Sequence, residues 1–227
     1  MANGAGDNAK RERGREPVSE ITTERLSVYL RCLIWLEAEG IRTVSSHEMA
    51  RRFHLNSAQI RKDLACFGEL GIRGVGYNVA TLKQHLVDTL GLDRTRNVVI
   101  VGAGNLGMAL ADYRGFHGSG FVIRAMFDTD PGKVGRRSRS GIPVVPIDRL
   151  AEIVHDERVE IGVIAVPAES AQEIYERLVE SGVCAILNFA PAQLQPRVGV
   201  KLRNVDLRIN LEALSFFLKN VENECET

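Results

Sequence analysis

Four consecutive branched apolar residues, Val98, Val99, Ile100 and Val101, run straight into GAGNLG at 102–107. Few folds admit that arrangement. A strand without polar alternation is buried on both faces, as strands of parallel sheets are. Gly102 allows the tight turn, Gly104 lets backbone approach a pyrophosphate, and Gly107 lets the following helix pack close to the strand. The free N–H groups at that helix start favour an anion. Asp128 ends the next apolar stretch, 21 residues after Gly107, where an acid can accept from adenosine ribose hydroxyls. Such an acid repels a 2′-phosphate, so NAD(H) is preferred over NADP(H); Arg124 and Lys133 lie close enough in sequence to weaken the preference slightly. The competing reading of Asp128 is a strand-end turn helped by Pro131 and Gly132.

Around this motif strands are expected at 98–101, 121–127, 143–146, 161–166 and 184–187, and helices at about 105–115, 148–155 and 169–181. Their alternation predicts a doubly wound parallel sheet. Two strand ends, Ala165-Val166-Pro167-Ala168 and Asn188-Phe189-Ala190-Pro191, can line the nicotinamide side of such a crevice. Equally, each proline can simply end its strand. A dehydrogenase would also need a proton donor or acceptor there. His47, His54, His85 and His155 fall elsewhere, His117 is the one plausible candidate, and only one further helix follows the sheet. Binding without chemistry is the better reading.

The first third is different. Helical period runs through Leu26, Leu30, Leu33, Ile34 and Leu36, with Thr22 or Thr23 as cap and Gly40 as stop. Ser45 with Glu48 and Asn56 with Gln59 have capping-box spacing. They open helices through Arg52 and about Phe67, which makes a helix-turn-helix. Gly68, Gly71, Gly74 and Gly76, alternating with Ile72, Val75 and Tyr77, suit a hairpin, or wing. Second-helix residues Ser57, Ala58, Gln59, Arg61 and Lys62 stand where base edges are read. Arg51, Arg52 and Arg73 suit phosphates, with Gly74 and Tyr77 in the same wing. From Arg51 to Arg73 there are five basic and two acidic residues, although the whole chain balances 29 Lys+Arg against 29 Asp+Glu. A solvated charged face is the plainer reading of Arg61-Lys62-Asp63.

Composition closes off other classes. With 44% hydrophobic residues among 227, a real core is available. No apolar run reaches the ~18 residues of a membrane span. Cys32, Cys66, Cys184 and Cys225 lie far apart without metal-ligand or disulfide spacing, which points to a reducing cytoplasm and no metal. Residues 1–19 are polar and read as a disordered tail; Lys10, Arg11, Arg13 and Arg15 could touch phosphates but are interrupted by Glu12 and Glu16. The expected divisions are this tail, a winged helix-turn-helix over 20–79, a linker helix over 80–94, a Rossmann domain over 95–205, and a last segment, 206–227, helical through Leu211, Leu214, Phe217, Leu218 and Val221.

Gln-Ile-Arg-Lys-Asp-Leu at 59–64, Phe-Gly at 67–68 and Arg-Gly-Val-Gly-Tyr at 73–77 resemble the Rex family of redox-sensing repressors. So do GAGNLG, FDTDPGKVG at 127–135, AVPA and NFAP, and the resemblance spans about 20–220. It implies a homodimer with exchanged C-terminal helices that binds double-stranded inverted-repeat operator DNA. NADH, against NAD+, would be an effector that releases it, not a redox substrate. It also implies that Arg31, Tyr113 and Asp206, the last from the partner, couple cofactor to domain arrangement. Read as residues alone, Tyr113 can end a helix and Asp206 can cap one. Three rivals remain: a dehydrogenase, a thiol sensor using Cys32 or Cys66 (both expected at buried apolar positions), and a DNA-binding protein whose second domain takes CoA or another nucleotide.

Overall fold

The computed structural model describes residues 19–116 and 119–225, with side chains as far as Lys219. The expectations for residues 1–18, His117 and Val221 lie outside the described backbone or side chains. The chain divides after Asp93 into two compact units.

In the first unit, α1 (Glu20–Ala38) is capped by Ser19, and by neither Thr22 nor Thr23: the Ser19 hydroxyl accepts from the Thr22 amide at 3.2 Å. Leu26, Tyr29, Leu30, Leu33 and Leu36 form its buried stripe, while Ile34 is turned out and 51% exposed. Next come β1 (Thr43–Val44), α2 (Ser46–Phe53) and α3 (Ser57–Ala65). Both expected caps form: Ser45 accepts from Glu48 N at 3.0 Å, and Asn56 Oδ1 from the amides of Ala58 and Gln59 at 2.9 and 3.0 Å. Neither box closes reciprocally, because Glu48 takes Arg52 and Gln59 takes Asp63. His54, left-handed at φ +53°, ends α2 and turns the chain toward α3.

The glycines build the expected turn. Ile72 and Gly76 exchange backbone hydrogen bonds of 2.9 Å around Gly74. Gly76 has φ +106°, and a Cβ there would sit 2.5 Å from the Val44 carbonyl oxygen. Then β2 (Tyr77–Asn78) returns antiparallel to β1. The helix expected as a linker, 80–94, is α4 (Val79–Thr89), capped by Asn78. It is no spacer. Leu82 and Leu86 are fully buried in the same core as Leu33, Met49, Ile60 and Leu64.

The second unit is a six-stranded, all-parallel sheet of β3 (Arg96–Val101), β4 (Phe121–Asp128), β5 (Val144–Pro146), β6 (Ile161–Ile164), β7 (Ala185–Asn188) and β8 (Lys201–Asn204). Its order is β5-β4-β3-β6-β7-β8, so the chain reverses direction between β3 and β6 and opens a crevice at their carboxyl ends. Val99, Val101, Phe127 and Ile164 face α6 (Leu150–Asp156) and α7 (Ala168–Glu180). Val98, Ile100, Met126 and Val163 face the short α5 (Asn105–Ala111), which stops four residues before the expected 115. The sequence reading missed β8, whose Lys201, Arg203 and Asn204 are exposed at the sheet edge and leave no apolar run. Finally α8 (Leu207–Cys225) presents Leu211, Leu214, Phe216 and Phe217 at 60–69% exposure. Among the described residues no helix is long and apolar enough to cross a membrane.

Candidate functional site

The crevice of the second unit is a cleft of about 540 Å³ lined by Gly102, Gly104, Asn105, Leu106, Asp128, Lys133, Val166 and Pro167, together with Ile147 and Ile174. Each glycine has a separate reason to be one. Gly102 has φ +106°, and a Cβ would lie 2.3 Å from the Ala165 carbonyl oxygen. A Cβ on Gly107 would lie 1.8 Å from the Gly102 oxygen. At Gly104, which caps α5, an added Cβ would meet nothing within 4 Å. Open space over that backbone, beside the first-turn amides of Asn105 and Leu106, is what a pyrophosphate needs. Gly107→Ala should therefore cost about 3 kcal/mol or more, seen as a lower unfolding midpoint of the second unit. An unchanged midpoint would mean that the loop yields.

Asp128 is 9% exposed and holds this loop. Its Oδ2 accepts from the Ala103 amide at 2.8 Å and from Lys133 Nζ at 3.0 Å, and its Oδ1 from the Asp130 amide at 2.9 Å. Burial pushes its pKa up, but the Asp130 amide, Lys133 and the Ala103 amide outweigh this and hold it below the usual carboxylate value. It is an anion with acceptor capacity left, at the wall where a ribose would lie. The residues fit an adenine dinucleotide. Among the described residues lining the cleft there is no His, Cys or Tyr; its ionisable groups are Asp128, Asp130 and Lys133.

The second expected strand end does not line the cleft. Asn188 is fully buried, donating to Asn204 Oδ1 at 2.9 Å and to the Ala190 and Ala192 carbonyls, and accepting from the Ala190 amide. Its side chain braces the β7–β8 loop. Phe189 packs against the sheet, Ala190 is buried, Pro191 is exposed, and none of the four lines the cleft. Sequence reading missed Thr129, Asp130, Ile147, Ser170 and Ile174; only the first two, inside FDTDPGKVG, carried a local signal.

In the first unit Arg51, Ala58, Arg61, Lys62, Arg73 and Gly74 are exposed on α2, α3 and the wing. Arg61 donates to Ser46 Oγ at 3.0 Å, and Arg52 pairs with Glu48 at 2.8 Å. Ser57 and Gln59 are half-buried, and the Gln59 amide donates to Asp63 at 2.7 Å. The half-buried Tyr77 ring lies under Gly71, where a Cβ would come within 2.7 Å of it, so it supports the wing from below.

Asp63 is not part of a solvated face. It is 2% exposed and takes Arg25 through Nε and Nη2 at 2.6 and 2.8 Å, Tyr29 Oη at 2.9 Å and the Gln59 amide. Burial alone would raise its pKa; these donors, Arg25 foremost, lower it, while burial and the adjoining carboxylate push Tyr29 up. The cluster ties α3 to α1. Its partners stand 34 and 38 residues away in sequence, beyond any spacing rule.

Of the coupling set, Arg31 is exposed on α1. Tyr113 is 56% exposed and meets Phe116 edge-on at 5.0 Å. Asp206 Oδ1 accepts from the Arg208 amide at 2.8 Å, capping α8. Cys32 is buried, with its thiol pushed up by burial, whereas Cys66, expected buried, is exposed at the end of α3.

Two family models match: a putative DNA-binding protein N-terminus over residues 17–65 and a CoA binding domain over 93–192. The chain is 52% identical to the redox-sensing transcriptional repressor Rex of Carboxydothermus hydrogenoformans, over 89% of this chain and 97% of that one. It is 49% identical to the Rex of Desulfitobacterium hafniense, over 88% and 94%. Among solved structures it is similar to RSP in complex with β-NAD+ and operator DNA (TM-score 0.86, 36% identity, 93% of this chain, 97% of that one). It is also similar to RSP in complex with β-NADH (TM-score 0.82, 35% identity, 93% and 99%). An N-terminal helix-turn-helix unit followed by a Rossmann unit defines a ligand-binding transcriptional regulator. The chain belongs to the Rex family of redox-sensing transcriptional repressors.

Proposed function

We propose that this protein represses transcription by holding inverted-repeat operator DNA as a cytoplasmic homodimer, and that NADH bound in the Rossmann cleft releases it. The observation that carries this is one chain with both an intact capped helix-turn-helix and a glycine-and-aspartate cleft whose described lining holds no His, Cys or Tyr. When bound, the dinucleotide supplies a redox-dependent charge on its nicotinamide and no reaction. Gly102, Ala103, Gly104, Asn105, Leu106 and Gly107 would form its pyrophosphate cradle, and Asp128 would accept from its ribose. Asp128 also argues against CoA, whose ribose 3′-phosphate it would repel. Val166 and Pro167 lead toward the nicotinamide. An apolar pocket there, completed by Phe216 or Phe217 of α8, would penalise the extra positive charge of NAD+.

On DNA, Ala58 and Lys62 would meet base edges while Arg51 and Arg73 meet phosphates. Two copies must space their α3 helices about 34–36 Å apart, one turn of B-DNA. The exposed apolar residues of α8 supply a reason for two copies to associate, and Arg31, Tyr113 and the partner's Asp206 would report the cofactor to the winged helices. Linkage requires operator DNA to weaken NADH binding by the same factor that NADH weakens DNA binding.

Fluorescence anisotropy on an inverted-repeat duplex, titrated separately with NADH and NAD+, tests this. Release by NADH at concentrations where NAD+ does little is the expected result. Equal responses would sink the redox reading, and no binding to the duplex would return the chain to the dehydrogenase alternative.

A further inference from the structure

Lys133 lines the cleft, yet its ammonium is drawn to the Asp128 carboxylate at 3.0 Å and lies 4.0 Å from Asp130. That makes the ribose end of the cleft a small charge balance: two carboxylates against one ammonium, net negative by one. Asp128 is anchored by two backbone amides and cannot move without disturbing the loop. Lys133 has no such anchor; its side chain is 35% exposed and hangs on Asp128 alone at hydrogen-bond distance. A flexible ammonium held by a fixed carboxylate is a phosphate ligand kept occupied.

We propose that Lys133 sets how strictly the cleft excludes 2′-phosphorylated dinucleotides: Asp128 excludes the phosphate, and Lys133 is a latent phosphate ligand that Asp128 holds in check. The proposal rests on the NAD(H) reading of the cleft and concerns which dinucleotide can act as effector. In the intact pair a 2′-phosphate meets net negative charge and NADPH binds poorly. With Asp128 neutralised, Lys133 is released, only Asp130 opposes it, and a charge-assisted contact to phosphate becomes available. With Lys133 removed, both carboxylates face the phosphate uncompensated.

Direct binding of NADH and NADPH to the full-length protein by titration calorimetry tests this in four forms: wild type, Asp128→Asn, Lys133→Met and the double variant. Asp128→Asn is expected to weaken NADH and strengthen NADPH, inverting the preference. Lys133→Met is expected to raise the NADH-to-NADPH affinity ratio about tenfold, the scale of one charge near phosphate at a partly solvated site. In the double variant the gain of NADPH binding should vanish, so the effect of Lys133 changes with the charge at residue 128. If wild type binds NADH but Lys133→Met leaves the ratio unchanged, or Asp128→Asn gains no NADPH affinity, the assignment is wrong. If wild type binds neither nucleotide, the NAD(H) reading itself falls. Circular dichroism of each variant separates lost folding from lost binding, and Lys133→Met, outside the backbone-bracing contacts, carries the test if Asp128→Asn misfolds.

Discussion

Replacing Asp63 by Asn is expected to destabilise the first unit by about 3 kcal/mol, the low end of the range for breaking a buried ion pair, because Arg25 keeps 30% exposure and can turn to water. Trp35, the only tryptophan, meets Phe53 of α2 edge-on at 5.6 Å and reports that unit's unfolding in denaturant. A loss below about 1 kcal/mol would mean that four donors around one carboxylate do not hold α3. The acid limb should change too. Because the folded pKa of Asp63 is depressed, its contribution is complete above the unfolded value near ~3.9 and is lost as pH falls from there through the folded value. Asp63→Asn should flatten that limb while leaving the neutral plateau lower. Operator affinity should fall with it, since α3 loses its tie to α1.

Introducing Asp at both Leu214 and Phe217 is expected to turn the proposed dimer into a monomer. These side chains are 60% and 62% exposed in one copy, too much apolar area for a 19-residue helix to leave in water. A monomer engages one half-site, so operator affinity should drop by ~100-fold or more, the usual worth of a second tethered contact. Sedimentation would give the oligomeric state and anisotropy the affinity. A double variant that still sediments as a dimer would place the association elsewhere. A monomeric variant with full operator affinity would overturn the two-half-site arrangement.

What sequence could reveal followed the range of the physics. The glycine turn was legible because Gly102, Gly104 and Gly107 fall within six residues in a spacing that the strand-turn-helix itself imposes, and Asp128 sits a fixed βαβ distance away. The caps Ser45 and Asn56 were legible for the same reason. Asp63 was not, since its environment is made by α1, and the same contact draws Gln59 from the role its position suggested. Asn188 stood at a strand end where cofactor contacts gather, but β8, an unmarked edge strand, supplies the Asn204 that claims it. The α4 helix read as a linker; only the completed core shows that Leu82 and Leu86 belong with α1.

Asp128 carries a consequence for how such a sensor can diversify. The carboxylate proposed to meet the ligand also fastens the Ala103 and Asp130 amides, so selection cannot adjust the set-point there without loosening the turn. Drift in sensitivity must run through side chains with a single duty. Ile147, Ile174 and Val166 touch the cleft without bracing its backbone, and descendants adapted to different nucleotide pools should differ at these positions while residue 128 stays acidic.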